Sequence, residues 1–569
     1  MEKRWELKEQ DPQAAQQIAD RHRLSPILSQ ILLNRNLTDP DLITRFLQPS
    51  LAHLPDPGEM KDMDKAVERL VVALQKKEKI TIYGDYDVDG TTATALLMEF
   101  FQSVGADVDY YIPHRIKEGY SLNKEAMEKL AAAGTKLIIT VDNGIAAVTE
   151  ARRVQELGMD LIITDHHECP PQLPQALAIL NPKQAGDDFP GKELAGVGVA
   201  YYLLIALRRR LRELNRLSDR EPNLRALLDL VAVGTIADMA PLTGINRILV
   251  AEGLKVLSAH PRLGLKALME VSGIAPPIRA DQVAFWIGPR INAVGRLEDA
   301  AAGVCLLLCA DPLQARDLAR KLDVANGARR EIEDKILEEA LAQIETEQLR
   351  EKFLSLVLFQ PHWHHGVVGI VASRLVDRFY LPAIVLTETE GVLKGSARSV
   401  RGLNIVEALR ACEKYLERFG GHTYAAGLTL RPENLAAFVE QFDRHVRATL
   451  QGRPLQPTVW LDAESPLDQL NPAFMEHLAR LEPFGLGNPA PLLLLKGAQV
   501  RESRVVGEKH LKMQLTQGKR TLGAIAFRLA KKQPEAGSRV DLVFVPEWNE
   551  WNGSKNIQLR CIDLRSSQP

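Results

Sequence analysis

Residues 79–90 read Lys-Ile-Thr-Ile-Tyr-Gly-Asp-Tyr-Asp-Val-Asp-Gly. Ile80 to Tyr83 has the pattern of a short strand, Asp85, Asp87 and Asp89 follow at every second position, and Thr91 to Val104 reads as a helix. Three carboxylates therefore crowd the turn where a strand hands over to a helix. Charges that close repel, and the arrangement is stable at neutral pH only if cations or hydrogen-bond donors offset them, a divalent metal first among these. The other reading is a solvated acidic turn. A calcium-binding helix–loop–helix opens with a similar pattern, but its twelfth position here is Leu96 where a bidentate Glu is needed, and a strand precedes the loop instead of a helix.

Working outward, the βα pattern repeats. Strand-like runs at Val108 to Ile112, Lys136 to Val141 and Leu161 to Thr164 alternate with helical runs at Lys124 to Ala132 and Ile145 to Leu157, which predicts an open parallel sheet with helices on both faces. Ligands of such sheets bind beyond the carboxyl ends of the strands. Two further strands end there in Asp142-Asn143-Gly144 and Asp165-His166-His167. One such Asp is as well read as a helix cap or turn residue. Three clusters at equivalent positions point to one site.

The remainder of the chain is punctuated by smaller signals. Gly-rich Leu194 to Tyr201 opens a helix that either receives a phosphate or packs closely. Asp229 lies in an apolar run and needs a partner, because a lone buried carboxylate is costly; it or Asp238, in Gly234-Thr-Ile-Ala-Asp238, is a further candidate ligand. Trp286 to Leu297 reads as a loop carrying Arg290, Asn292 and Arg296, for which phosphate binding and salt bridging both stand open. Residues about 312–349 predict a long solvated helix. A second α/β unit follows, with strands at Leu354 to Phe359 and Ala383 to Thr387. It carries His362, His364 and His365, read as substrate contacts rather than metal ligands, then Ser396 and Arg398, then Gly420-Gly421-His422, either a backbone cradle for phosphate or a helix stop.

From Leu493 the pattern changes to short β-runs. Lys496 to Lys532 holds ten Lys or Arg against Glu502 and Glu508, with Phe527, Phe544, Trp548 and Trp551 in or after it. Charge that tracks phosphates and rings that stack on bases suit single-stranded nucleic acid; the alternative is a solvated basic face over core aromatics.

Composition narrows the class. The 569 residues exceed one core, and 46% hydrophobic with 25% charged residues is the balance of a soluble globular protein. A net charge of −2 excludes a uniformly basic nucleic-acid binder but not local basic patches. Five cysteines without a Cys-x-x-Cys pair argue against disulfides or structural zinc. With no apolar run of spanning length, no membrane association and a cytoplasmic location are expected.

Together, Gly84-Asp-Tyr-Asp-Val-Asp-Gly90, Asp142-Asn-Gly, Asp165-His-His and Gly234-Thr-Ile-Ala-Asp238 resemble the four successive motifs of the DHH phosphoesterase superfamily. Gly420-Gly-His-Thr423 resembles the phosphate motif of its associated second domain. Arg290-Ile-Asn-Ala-Val-Gly-Arg296, His364-His-Gly-Val-Val-Gly369 and Ser396-Ala-Arg-Ser399 are similar to the RecJ branch. The resemblance implies an α/β protein: a helical cap at 1–50, a parallel-sheet DHH domain at 51–250, a helical connector at 251–350, a smaller DHH-associated domain at 351–452 and an OB-fold barrel at 453–569.

It further implies a single-stranded-DNA-specific 5′ to 3′ exonuclease of recombination and repair, releasing mononucleotides by two-metal hydrolysis with Mn²⁺ preferred and Mg²⁺ possible. Asp87 and Asp89 would each bind an ion, Asp142 would bridge them, His166 would ligate one, Asp85 would ligate or brace, and His167 would sit by the substrate; Asp229 and Asp238 compete for the fourth motif. Arg115, Arg290, Asn292, Arg296, His364, Ser396, Arg398, Gly420, Gly421 and His422 would hold the strand. A monomer served by a single-strand-binding protein and a helicase is implied. The rivals are a small-phosphoester hydrolase and a non-catalytic DNA-binding scaffold.

Overall fold

In a computed structural model, all residues are described except 1–2, 116–117, 120, 218–220, 298–299, 452–454, 552 and 568–569. The first sheet has five parallel strands in the spatial order Val108–Tyr111, Ile80–Tyr83, Leu137–Val141, Asp160–Thr164, Ala178–Leu180. Every residue of Ile80–Tyr83 is buried, as the centre of a sheet covered on both faces requires, with the Thr81 hydroxyl bonded to Asp109. From Ile80–Tyr83 the chain steps outward to one neighbour and then returns to the other side, so the strand order reverses between Ile80–Tyr83 and Leu137–Val141. That reversal opens a crevice at the strands' carboxyl ends. The helix expected from Thr91 starts earlier, at Val88, because the Asp87 side chain caps it by accepting from the Gly90 amide.

The second sheet runs Leu416–His422, Ala425–Leu430, Val392–Arg398, Ala383–Thr389, Leu356–Phe359. Helix Pro312–Thr346, 35 residues long, joins the two units. Its Ala315, Ala319, Leu322 and Ala325 belong to the core of the first domain, whereas Ile336, Ala340 and Ile344 pack with Leu356, Val371 and Val385 of the second. We refer to it as the connector helix.

Beyond it, strands Leu493–Val506, His510–Gln517, Arg520–Ala526, Ser554–Ser566 and Arg539–Trp551 pair in succession, and the last pairs back onto Leu493–Val506. The five strands thus close a barrel without a free edge. Phe544 is fully buried in it, a core residue and not a platform; Phe527 is exposed, and the Trp551 side chain lies outside the described set.

The first 50 residues differ from an independent cap. Strand Arg4–Leu7 pairs in parallel with Thr458–Leu461, and Leu28, Ile31, Leu32 and Ile43 share one core with Leu493, Leu511 and Leu542 of the barrel. These short helices are amphipathic and too small to bury their own apolar faces, so they cover the barrel's. Arg247 fastens this assembly to the first domain. Its buried guanidinium donates to the carbonyls of Phe46, Arg480 and Leu481, each at 3.0 Å, and stacks 3.8 Å over the Phe46 ring.

Candidate active site

Three strand ends deliver the acidic residues to the crevice. Asp85 is 3% exposed, Asp89 is fully buried in the first turn of helix Val88–Ser103, and Asp142 sits at 2% with a left-handed φ of 62°. That conformation is uncommon outside glycine but tolerated by Asp, and it turns the carboxylate back over the strand end. Asp238 follows the last residue of helix Leu228–Ala237. His166 Nε2 lies 3.0 Å from Asp142 Oδ1, 3.8 Å from Asp89 Oδ2 and 3.9 Å from Asp238 Oδ2. Asp85, Asp87, Arg115, Asp142, His167, Asp238, Asn292 and Arg296 line one cleft of about 350 Å³.

The Gly-rich helix start at Leu194 does receive an anion, but the anion is the protein's own. Gly196 and Val197 amides donate to the two oxygens of Asp89, at 2.6 and 2.8 Å, at the positive end of helix Gly196–Glu213. A Cβ at Gly234 would stand 2.3 Å from Thr92 Oγ1 and 3.0 Å from Asp89 Oδ1, so this glycine of the fourth motif is the space in which Asp89 fits.

The electrostatics show what such crowding does. Burial, then the charge of Asp87, pushes the Asp89 carboxyl up to about 7. Burial, then Asp89 and Asp87, takes Asp238 to about 9. Asp85 and Asp142 are raised for the same reasons, burial first. Burial lowers His166 to about 3, which leaves a neutral imidazole fit to ligate. Asp165 is different: burial raises it, but His167 and backbone amides outweigh that and hold it ionised. It accepts from the amides of Ile145, His166 and His167 and holds His167 Nδ1 at 2.7 Å. For His167, burial lowers the pKa, but the Asp165 hydrogen bond and the charges of Asp165, Asp87 and Asp89 together outweigh it and raise it.

The donor set fits divalent cations. Among the described residues, Asp85 Oδ1 and His166 Nε2 are buried without hydrogen-bond geometry to any partner. Asp85, Asp87 and Asp142 offer one set of oxygens within 4.8 Å of one another, and Asp89, His166 and Asp238 offer a second mixed set. Cations there would reverse the raised pKa values that burial and mutual repulsion impose. The short Asp142–His166 separation joins the two sets.

Two expected site residues are elsewhere. Asp229 is not beside the cleft: its two oxygens receive Arg262 Nη2 and Nε at 2.8 and 2.9 Å, and Arg262 also holds Glu99. The partner that a buried carboxylate needs is thus an arginine, which leaves Asp238 for the fourth motif. Arg290 is not among the cleft-lining residues either. It is 5% exposed, donating to Asp323 Oδ1 of the connector helix at 2.9 Å and to the Trp286 carbonyl at 2.7 Å. The loop expected around it is helical, a wide five-residue turn at Val283–Ile287 running into helix Gly288–Leu297.

Cations and hydroxyls gather on the opposite wall. Arg296 Nη1 donates to the Gly366 carbonyl of the second domain at 2.9 Å, and burial, then Arg115 and Arg329, lowers its pKa to about 10. Arg115 stacks 4.8 Å over Tyr86. In the second sheet, Ser396, Gly427 and Gly420 form one register row and Arg398, Ala425 and His422 another, so the side chains of each row share a face. Gly369, in the first turn of helix Val368–Phe379, lies against that face; a Cβ there would meet Arg398 Nη2 and Ser396 Oγ at 3.1 Å. Gly420-Gly421-His422 is thus an exposed hairpin strand and not a helix stop. His364 Nδ1 accepts the Gly366 amide at 3.1 Å, and His362 is held by Glu339 at 2.7 Å; among the described residues, neither belongs to a group able to hold a metal ion.

Family models match along this arrangement: the DHH family, N-terminal domain, over residues 79–235, the DHHA1 domain over 351–448 and the RecJ OB domain over 461–563. Over 572 residues the chain is 40% identical to the single-stranded-DNA-specific exonuclease RecJ of Bacillus subtilis, covering 99% of this chain and 71% of that protein. The chain belongs to the RecJ family. RecJ of Thermus thermophilus in complex with Mn²⁺ has a similar structure, with a TM-score of 0.85 and 33% identity over 100% of this chain and 80% of that one. Its complex with Mg²⁺ gives 0.78 and 31%, over 100% and 79%.

One residue of this RecJ-family site, Asp165, was given no role of its own by the sequence. Asp165 belongs to a recognised motif, yet its task is to brace His167, and only the partner reveals that. His365, one of the three histidines read as substrate contacts, is exposed, and its pKa is lowered by partial desolvation, then by Lys394 and Arg115. No sequence signal separated it from His362 and His364. Among the described residues, no helix is long and apolar enough to cross a membrane.

Proposed function

We propose that this chain is a metal-dependent exonuclease specific for single-stranded DNA, removing mononucleotides from the 5′ end in DNA recombination and repair. One observation carries the reading: two sets of ligand-type atoms joined at Asp142 and His166 face a wall of arginines across a cleft. Asp87, Asp89, Asp142, His166 and Asp238 are the residues to hold two divalent ions, with Asp85 as ligand or brace. Bound there, such ions supply Lewis acidity to the attacking water and to the departing sugar oxygen, with Mn²⁺ favoured by the mixed carboxylate and imidazole donors and Mg²⁺ also accepted.

The chain's own groups do the rest. The Gly196 and Val197 amides keep Asp89 in one orientation. With His167 Nδ1 engaged by Asp165, Nε2 is the atom that carries a proton at the substrate. Arg115, Arg296, Ser396 and Arg398 bind phosphate, with Asn292, His364 and His422 beside them, and the wide cationic wall neutralises a backbone that a single acidic crevice would repel. The barrel, with its basic strands, retains the strand beyond the cleft. The names of the relatives support single-stranded DNA as substrate; the motif resemblance supports the 5′ polarity, a monomeric cytoplasmic enzyme, and delivery by a single-strand-binding protein and a helicase.

The test is digestion, with Mn²⁺, of one oligonucleotide labelled separately at each end, alongside its blunt duplex. Immediate release of 5′-labelled mononucleotide, gradual shortening of the 3′-labelled strand and an inert duplex are expected. An intact single strand, or label released first from the 3′ end, would sink the reading.

A further inference from the structure

Pro289 has no N–H for the carbonyl four residues earlier, that of Phe285, and its ring crowds that carbonyl. The helix widens there: the Gly288 amide donates instead to Val283, five residues back. Arg290 then takes up the Trp286 carbonyl with Nη1 and ties the turn to Asp323 of the connector helix. The wide turn buries Val283 and Ile287 and turns Phe285 and Trp286 outward, 70% and 43% exposed. Two adjacent aromatic side chains this exposed, on a turn so firmly held, are out of keeping with the rest of the domain, where large apolar side chains fill the core.

Their place relative to the cleft is given by the helix itself. Asn292 and Arg296, which line the cleft, lie seven and eleven residues beyond Phe285, on the helix Gly288–Leu297 into which the wide turn runs. The Cβ site of Gly288 lies 3.3 Å from Ala237 Cβ, and Ala237 and Met239 line the cleft beside Asp238. Met239, which lines the cleft, is itself 67% exposed. The aromatic rings therefore stand about 10 Å along the helix axis from the guanidinium and amide that line the cleft.

We propose that Phe285 and Trp286 are a stacking platform for a nucleobase of the strand that lies beyond the residue being cleaved, with Arg290 as the positioning residue that fixes the platform. Stacking on a ring face needs no particular base, so the site grips any sequence; a duplex, whose bases are already stacked and paired, cannot offer one. The platform rests on the exonuclease reading for its substrate and adds to it a contact to bases where all other named groups contact phosphate or metal.

The experiment compares wild type with Phe285→Ala, Trp286→Ala and the double variant on a long oligonucleotide, on a dinucleotide too short to reach the rings, and on long strands carrying one abasic residue at successive positions. A separate anisotropy measurement reads binding of a labelled strand without turnover. The double variant is expected to raise KM for the long strand about tenfold, with a smaller change in kcat, and to lower the preference for long strand over dinucleotide by about the same factor. Wild type should be slowed when the abasic residue occupies one particular distance from the end, and the double variant should not register that position. Wild-type KM, wild-type affinity and an unchanged abasic profile in the double variant would overturn the platform while leaving the exonuclease reading intact. Weakened binding in the variant with no cleavage by wild type would uphold the platform and overturn the exonuclease.

Discussion

The amide of Gly196 donates to Asp89 Oδ2 across 2.6 Å, joining residues 107 positions apart. Nothing larger than hydrogen fits at residue 196: a Cβ would stand 2.8 Å from Asp142 Cβ and 3.0 Å from Asp89 Oδ2. Gly196→Ala is expected to displace both carboxylates and to weaken Mn²⁺ binding about 10–100-fold, the range usual for groups that orient metal ligands. Calorimetric titration with Mn²⁺ measures this, and a circular-dichroism melt verifies that the fold persists.

Asp229 and Asp238 are separated by opposite outcomes. Removing Asp229 leaves the largely buried Arg262 only the half-exposed Glu99 as counter-charge, so Asp229→Ala should cost about 3 kcal/mol in urea unfolding while the affinity for Mn²⁺ changes little. Asp238→Asn should do the reverse, losing metal affinity and holding or gaining stability, because it removes one of several carboxylates that repel each other. A metal-binding defect in Asp229→Ala with unaltered stability would reverse the assignment.

Metal binding should release protons. With Asp89 raised to about 7 and Asp238 to about 9, the metal-free folded chain holds protons at pH 7 that bound cations expel. Mn²⁺ titrations in buffers of different ionisation enthalpy should show at least one proton released per chain. These carboxyls ionise near pH 4 in the unfolded chain, so the metal-free folded state binds more protons, and their contribution to stability falls as pH rises from about 4 towards about 9. Saturating Mn²⁺ should remove that decline.

Gly327 sits inside the connector helix with nothing within 4 Å of where its Cβ would be. A glycine there weakens the helix with no packing gain, so Gly327→Ala should raise stability by about 0.5–1 kcal/mol, read as a later urea midpoint at unchanged slope.

The strands at Ile80, Val108, Lys136 and Leu161 and the helix Lys124–Ala132 were legible because each is a local pattern with clear punctuation. The clustering of Asp85, Asp87, Asp89, Asp142 and His166 followed from one rule, that parallel strands end at the same edge. What could not be read were choices of partner. Asp229 and Asp238 are both aspartates in apolar surroundings, and only Arg262 tells them apart. Arg290 resembles an anion ligand until Asp323 appears 33 residues later. Gly288-Pro289 reads as a loop because proline normally interrupts a helix, whereas this helix widens around it. The pairing of Arg4–Leu7 with Thr458–Leu461 leaves no trace in either segment, since each is too short to declare its neighbour.

The connector helix has its first half in one hydrophobic core and its second half in the other, with buried Asn326 and Glu333 between them. Arg329 and Arg374 both engage Glu333, the second from helix Val368–Phe379, whose first turn borders Ser396 and Arg398. The molecule is therefore built like a caliper with a single spine. The gap between its jaws, the acidic crevice on one and Ser396 and Arg398 on the other, is gauged by the straightness of that spine. Any substitution that bends it, however far from the cleft, is transmitted as a change in the distance between where a strand is held and where it is cut.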